Sequence, residues 1–264
     1  MSVQTQIDRL NKAKSDLKTS ITNKGVAVSD DALISDYPAL VDSIQTGGGD
    51  NVFDASLGGK LAYSTFSTLP YNIINTSQVT DMSDFFSNNG SLTFLDLSNF
   101  DTSNATDMSG MFFNINPFGS ISLDLSNFNT SKVKRMYNMF ASCSGLRSLD
   151  LSSFDTSQVT NMSNMFCFCS RLISLDLSNF NTSHTKDMYW MFAYSSSLET
   201  LDLSSFDTSQ VTSMGSMFYN CNSLTTVKVI NCNDATKQKI LTQLQTDITT
   251  KTWTLGEDGI IRSS

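Results

Sequence analysis

The stretch that decides the fold is Leu149-Asp150-Leu151-Ser152-Ser153-Phe154-Asp155-Thr156-Ser157-Gln158-Val159-Thr160-Asn161-Met162-Ser163-Asn164-Met165-Phe166. Leu-Asp-Leu alternates apolar and polar residues, which predicts a short strand with both leucines facing inward. Ser152 to Ser157 reads as a turn, because Ser, Asp and Thr side chains satisfy nearby backbone groups there. Met162, Met165 and Phe166 stand at i, i+3 and i+4, which predicts one face of a short helical turn. Thr160 or Ser157 would serve as its N-cap. Leu172 then leads into the next Leu-Asp-Leu at Leu175.

Working outward, the pattern repeats. Leu-Asp-Leu starts at Leu95, Leu123, Leu149, Leu175 and Leu201, in steps of 28, 26, 26 and 26 residues. A degenerate copy starts at Val227, and Thr76 to Met82 aligns with Thr102 to Met108 at an offset of 26. The two extra residues of the first step fall near Asn114-Ile115-Asn116-Pro117, as a surface loop would. One such unit cannot bury its apolar face alone, so units must stack, like side chain on like. The expected ladders are Phe100, Phe128, Phe154, Phe180 and Phe206; Met108, Met136, Met162, Met188 and Met214; and Phe112, Phe140, Phe166, Phe192 and Phe218. Packing explains each stripe, so none is read as a ligand box.

These residues carry a resemblance. Leu-Asp-Leu-Ser-x-Phe-(Asp/Asn)-Thr-Ser-x-Val-Thr-x-Met-x-x-Met-Phe resembles the BspA-type leucine-rich repeat of bacterial surface proteins, adhesins and lipoproteins, over residues 69–230. The resemblance implies a right-handed α/β solenoid with a parallel sheet on one face, and it suggests adhesion without fixing a ligand. Residues 51–68 are expected to form the N-terminal cap. Residues 231–264 are expected to form the C-terminal cap. There Asn233-Asp234-Ala235-Thr236 would start a helix bearing Ile240, Leu241 and Leu244. Thr252–Leu255 and Gly259–Ile261 would close a hairpin around Gly256-Glu257-Asp258.

The first 46 residues read differently. Val3, Ile7, Leu10, Lys14, Leu17 and Ile21 step by 4, 3, 4, 3 and 4, a heptad seam interrupted by one lysine. Asn23-Lys24-Gly25 reads as a helix stop. A second short helix would carry Leu33, Tyr37, Leu40, Val41 and Ile44 on one face. Residues 1–46 are thus expected to form a small helical module for anchoring and oligomerisation, joined by a glycine linker at 47–50. A first helix, then Asn-Lys-Gly-Val-x-Val, then Tyr-Pro-Ala-Leu-Val-Asp-Ser-Ile resembles the N-terminal segment of many bacteriophage tail and fibre proteins. Ser29-Asp30-Asp31 stands where that family has Pro-Gly. The resemblance implies a homotrimer that meets other virion proteins through residues 1–46. The Ile and Leu order of the seam by itself leans towards two strands.

Composition narrows the function. Charged residues make up 16% of the 264, against roughly 25% in an average soluble domain, and the net charge is −8. A negative field argues against nucleic acid and anionic membranes as partners. No apolar run approaches the ~20 residues of a membrane span, and the N-terminus lacks the apolar core of a secretory signal. Cys143, Cys169 and Cys221 recur in register among five cysteines and read as buried small residues, not as a disulfide framework. Cys167-Phe168-Cys169 has the wrong spacing for zinc, and the single histidine, His184, has Gln158 and Gln210 at the equivalent positions. No phosphate-binding, metalloprotease or nucleophile-elbow motif occurs, so no enzyme activity, metal or cofactor is expected.

The remaining candidate surface is a carboxylate row. Asp96, Asp124, Asp150, Asp176 and Asp202 lie between inward leucines and so point outward. Stacked rungs at about 4.8 Å would set these carboxylates against one another. The row reads either as a solvated face that discourages sheet aggregation or as a stripe for a cation or sugar. Taken together, the sequence leads to a virion structural protein, a fibre or decoration subunit whose repeats meet a host surface glycan or protein. The alternatives are a BspA-type bacterial adhesin, for which no signal or wall anchor is seen, and a cytoplasmic interaction scaffold.

Overall fold

A computed structural model describes residues 76–117, 119 and 121–264, preceded by the short strands β1 (Val52–Asp54) and β2 (Asn72–Ile74). The expected helical module with its seam at Val3, Ile7, Leu10, Leu17 and Ile21, the glycine linker and most of the 51–68 cap lie outside the described residues. The chain divides into two units, residues 1–53 with 70–72 and residues 54–69 with 73–264, and the repeats belong to the second.

After a 3-10 turn at Thr76–Gln78 come β3 (Ser174–Asp176), β4 (Thr200–Asp202), β5 (Thr226–Lys228), helix α1 (Asp234–Asp247), β6 (Trp253–Leu255) and β7 (Ile260–Ser263). The first three of these strands are parallel, with Leu175 opposite Leu201 and Leu201 opposite Val227. β7 then joins β5 antiparallel and β6 joins β7, giving one open sheet in the order β3-β4-β5-β7-β6. The leucines of the Leu-x-Leu segments turn inward: Leu175, Leu177, Leu201 and Leu203 are buried.

The 26-residue segments are tied at a second place. Asp81, Asp107, Arg135, Asn161, Asp187 and Ser213 make successive parallel bridges. The helical turn expected after each bridge does not form, and among the described residues α1 is the only α-helix. The backbone instead runs through consecutive tight turns. The N–H groups of Met165 and Cys167 donate to Met162 and Asn164 carbonyls at 3.2 and 3.0 Å, an i to i+3 pattern. The alternate N–H groups, from Met162, Asn164, Phe166 and Phe168, donate to the Asp187, Tyr189, Met191 and Ala193 carbonyls at 2.8–2.9 Å. A helix keeps its bonds within itself, whereas this arrangement matches the backbone donors and also binds the next segment. Neither expected N-cap residue caps anything: Thr160 donates its hydroxyl to the Lys134 carbonyl at 3.1 Å, and Asp155 Oδ1 accepts from the Ser157 N–H at 2.9 Å.

Like packs on like in the core. Phe86, Phe112, Phe140, Phe166, Phe192 and Phe218 form one stack, with ring centroids 5.5–5.9 Å apart and planes within 10°. Phe100, Phe128 and Phe154 form a second at 5.9 and 6.3 Å. Each fully buried ring contributes roughly 1.5–3 kcal/mol by leaving water, and each stacked pair about 0.5–1.5 kcal/mol more.

Buried polar side chains run in ladders beside the rings. The Thr156 hydroxyl accepts from the Asn181 N–H at 2.8 Å and donates to the Asn181 carbonyl at 3.0 Å. Thr102, Thr130 and Thr182 do the same to Asn129, Asp155 and Asp207. The cysteines form another rung: Cys143, Cys169 and Cys221 thiols donate to the Phe112, Phe140 and Phe192 carbonyls at 3.0–3.1 Å. Ser195 does so to Phe166. All five cysteines are free and buried, and burial pushes the Cys143 and Cys221 thiols up to about 12. At the C-terminal end, the Asn233 side chain caps α1 by accepting from the Thr236 N–H at 2.8 Å. Thr236, Ile240, Leu241 and Leu244 are its buried residues.

Candidate functional site

Two exposed rows lie on the repeats. In the first, Asp96, Asp124, Asp150 and Asp176 are exposed and Asp202 is half-buried. Each accepts from the N–H of the serine two residues on, Ser98, Ser126, Ser152, Ser178 and Ser204, at 2.9–3.0 Å. Each carboxylate therefore closes the turn that follows its own Leu-x-Leu segment. The Ser152 N–H and hydroxyl hold the Asp150 carboxyl below its ordinary range, although Asp124 and Asp176 push it the other way. The Ser98 and Ser178 groups likewise lower Asp96 and Asp176, and the Ser126 hydroxyl and N–H lower Asp124. The row ends at a cation, with Lys228 Nζ 3.5 Å from Asp202 Oδ2. A shallow depression between two segments is lined by Asp150, Asp176, Ser152, Ser178 and Asn179. Among the described residues no group of three or more acidic, Cys or His side chains converges to hold a metal ion. His184 is exposed, with its Nδ1 3.3 Å from the neighbouring Ser183 hydroxyl.

The second row is not among the features that the repeat pattern marks. It lies on the tight turns that follow the bridge positions, where each segment holds two left-handed residues four apart. In most segments these are small or polar: Asp84 and Asn88, Gly110 and Asn114, Asn138 and Ser142, Ser216 and Asn220. Gly110, at φ +64, has the Asp84 carboxylate where a Cβ would stand. Such residues tolerate this conformation; bulky ones do so at about 1–2 kcal/mol each. Yet Phe168, Trp190 and Tyr194 occupy three of these positions, at φ +60, +56 and +61.

These three rings are the centre of a continuous aromatic surface. Phe168 stacks on Tyr194 at 4.4 Å, Tyr194 meets Tyr219 edge-on at 5.4 Å, and Trp190 lies 5.7 Å from both Tyr189 and Tyr194. Phe168, Tyr189 and Tyr219 keep 43–45% of their surface exposed, and Tyr137 39%. Beneath them Ala141, Cys167 and Ala193 form a buried floor against which Phe113, Trp190 and Tyr194 pack. The Trp190 Nε1–H is buried without a hydrogen-bond partner, an omission that ordinarily costs about 1–3 kcal/mol. Backbone strain, an unmatched donor and exposed rings coincide on one part of an otherwise regular scaffold, which is where strain tied to function is found. The sequence does hold a signal for it. Tyr189, Trp190 and Tyr194 break the repeat at positions where the preceding segment has Ser163, Asn164 and Phe168 and the following one Gly215, Ser216 and Asn220.

Two stretches of the chain, residues 62–166 and 143–246, match the family described as Mycoplasma protein of unknown function, DUF285. The matches overlap in the middle of the repeats and together span residues 62–246. No curated protein and no solved structure matches the chain.

Proposed function

The chain belongs to the DUF285 family, and on that footing we propose that it is a non-catalytic attachment protein, a BspA-type leucine-rich-repeat solenoid that displays a binding face. The observation that carries this reading is the aromatic surface of exposed Phe168, Tyr189 and Tyr219 with half-buried Trp190 and Tyr194, three of whose rings, Phe168, Trp190 and Tyr194, sit on left-handed backbone. Rigid aromatic rings supply contact area with little side-chain entropy to lose on binding. The likeness of residues 1–46 to phage tail and fibre proteins supports a virion setting, as a fibre or decoration subunit assembled with copies of itself. The likeness of the repeats to the BspA type supports a second reading, a cell-surface adhesin that uses the same face.

Separating the particles released by lysis of a source culture from its intact cells tests the setting. Detection of the chain in the particles is expected. Detection on the cell surface alone would replace the virion reading with the adhesin. For the attachment role, labelled full-length chain should bind bacterial cells, and failure to bind any cell surface overturns it.

A further inference from the structure

We propose that the aromatic face over residues 113–219 is a binding site for an uncharged carbohydrate chain; this rests on the reading of the protein as a surface-attachment module. The face is built from four positions per segment, those of Ser163, Asn164, Cys167 and Phe168 and their equivalents, of which the third supplies the buried floor at Ala141, Cys167 and Ala193. Across the five segments from Ser109 to Asn220, no Asp, Glu, Lys or Arg occupies any of these positions. This holds in a chain of net charge −8 whose other exposed row is acidic. A charged ligand would find no counter-charge at these positions, and the cation beside them, Arg135 near Tyr137, is already paired with Asp107 at 2.6 Å. Protein-binding hot spots draw on Arg as well as Trp and Tyr, and Arg is missing from this face.

Between the rings stand neutral hydrogen-bonding side chains, Asn138, Asn164, Ser216 and Asn220, with the phenol groups of Tyr189 and Tyr219. One face of a pyranose ring is a sheet of weakly positive C–H bonds, which packs on the negative face of an aromatic ring. Its hydroxyls exchange hydrogen bonds with amides and phenols. Rings alternating with amides and hydroxyls, without charge, match that ligand and no ionised one. The rings are also spread along consecutive segments, from Phe113 to Tyr219, on a floor of Ala141, Cys167 and Ala193. That layout suits an extended chain rather than a single sugar.

Asn and Ser serve the left-handed positions in the other segments, so Phe168, Trp190 and Tyr194 are not required by the turn. This also supplies variants that keep the fold. Phe168→Asn, Trp190→Asn and Tyr194→Asn each install a residue type that the same turn position carries elsewhere in the chain.

The test uses the full chain against an array of uncharged oligosaccharides of the gluco, manno, galacto and N-acetylglucosamine series, six or more sugars long in the probe. Binding of at least one series is expected. It should weaken tenfold or more in Trp190→Asn and Tyr194→Asn, stay unchanged in Asp150→Asn, and be insensitive to salt. Melting temperatures near that of the parent chain establish that the variants are folded. If no uncharged series binds, or if binding survives both aromatic variants, the inference is overturned. Cell attachment then separates the two readings. Attachment that is lost in the aromatic variants and destroyed by protease treatment of the cells, but not by periodate, means a protein partner. It overturns the carbohydrate while leaving the attachment role standing. A change of oligomeric state in the aromatic variants would assign the face to contact between copies and overturn the inference as well.

Discussion

The carboxylate row and the aromatic face rest on the same 26-residue frame, and they differ in regularity. The row repeats one residue, Asp, at five equivalent positions, and each copy bonds its own Ser two residues on. The aromatic face recurs only in part: Phe168 and Tyr194 share one register position, Tyr137 and Tyr189 another and Phe113 and Tyr219 a third, but none of these positions is aromatic in every segment, and Trp190 stands alone at its own. A residue that recurs in every segment answers a need that every segment has, here the closure of a turn. A residue that appears in only some segments against the turn's own preference answers something outside the segment. In a repeated architecture, departures from the repeat are therefore the better guide to binding, and the repeat itself is the guide to stability.

The comparison breaks most visibly in the buried stack beneath both faces. Phe140 is fully buried, stacked between Phe112 at 5.5 Å and Phe166 at 5.8 Å. Phe140→Ala should cost about 3–5 kcal/mol by leaving a cavity. It should also loosen the segments on either side. A chemical-denaturation midpoint equal to the parent's would show that these rings do not carry the stability of the frame.

A step smaller is the threonine ladder. Thr156 is buried and joins Asn181 by both the N–H and the carbonyl. Thr156→Val keeps the shape and removes both bonds, leaving the Asn181 backbone groups unmatched. The expected cost is about 1–3 kcal/mol. Amide exchange at Asn181 should quicken in the variant, and an unchanged exchange rate with unchanged stability would take the ladder out of the account.

Much of this frame is legible in the sequence, for physical reasons that can be named. Phe at a fixed spacing has one economical home, a stack, which is found through Phe218 in one ladder and from Phe100 to Phe154 in the other. Leu-x-Leu alternation predicts a short strand, which forms at Ser174–Asp176, Thr200–Asp202 and Thr226–Lys228 but not at Leu95, Leu123 or Leu149, where the leucines are placed without ladder pairing. The Asn233 cap and its helix are legible because capping is local, settled within four residues. The turn at Met162–Phe166 is not. Its i, i+3, i+4 spacing is shared by a helix and by overlapping tight turns, and the choice is made by carbonyls of the next segment, 25 residues away. The threonine bonds are hidden for the same reason: a Thr among Ser and Asp suggests bonding within its own turn, and the partner of Thr156 is Asn181 in the next segment. The aromatic face is hidden because its residues recur in only some segments, and periodicity marks what recurs in all.

On that face the expected stability change is smaller still. Phe168→Asn relieves a left-handed phenylalanine, worth about 1–2 kcal/mol, and loses the Tyr194 stack at 4.4 Å, worth about 0.5–1.5 kcal/mol. The two nearly cancel, so the net change should stay under about 1 kcal/mol. A loss comparable with that of Phe140→Ala would make Phe168 part of the frame and would dissolve the distinction between the faces.

The smallest effect belongs to the carboxylates, and its sign is the informative part. Repulsion along the row suggests that Asp150→Asn should stabilise the chain by relieving charge. The local geometry argues the reverse. Asn accepts the same serine N–H, as Asn129 and Asn181 do for Ser131 and Ser183. The variant therefore keeps the turn and loses only the charge. In the parent the Ser152 donors lower the Asp150 carboxyl, against the raising influence of Asp124 and Asp176. The bonds to the ionised form thus outweigh the repulsion. A carboxyl lowered in the folded state adds stability above its unfolded value, near 3.8, and that stability is lost as pH falls through the lower folded value. Asp150→Asn should accordingly be slightly less stable than the parent at neutral pH, and the two should converge in acid below pH 3.8. Salt sharpens the test, because it screens the repulsion more than the short hydrogen bonds. The deficit of the variant should widen at high salt. Thermal melts of both proteins across pH and salt decide it. A variant that is the more stable at low salt and neutral pH would show that repulsion governs the row. A calcium-dependent rise in the parent's melting temperature, absent from the variant, would instead make the row a cation site.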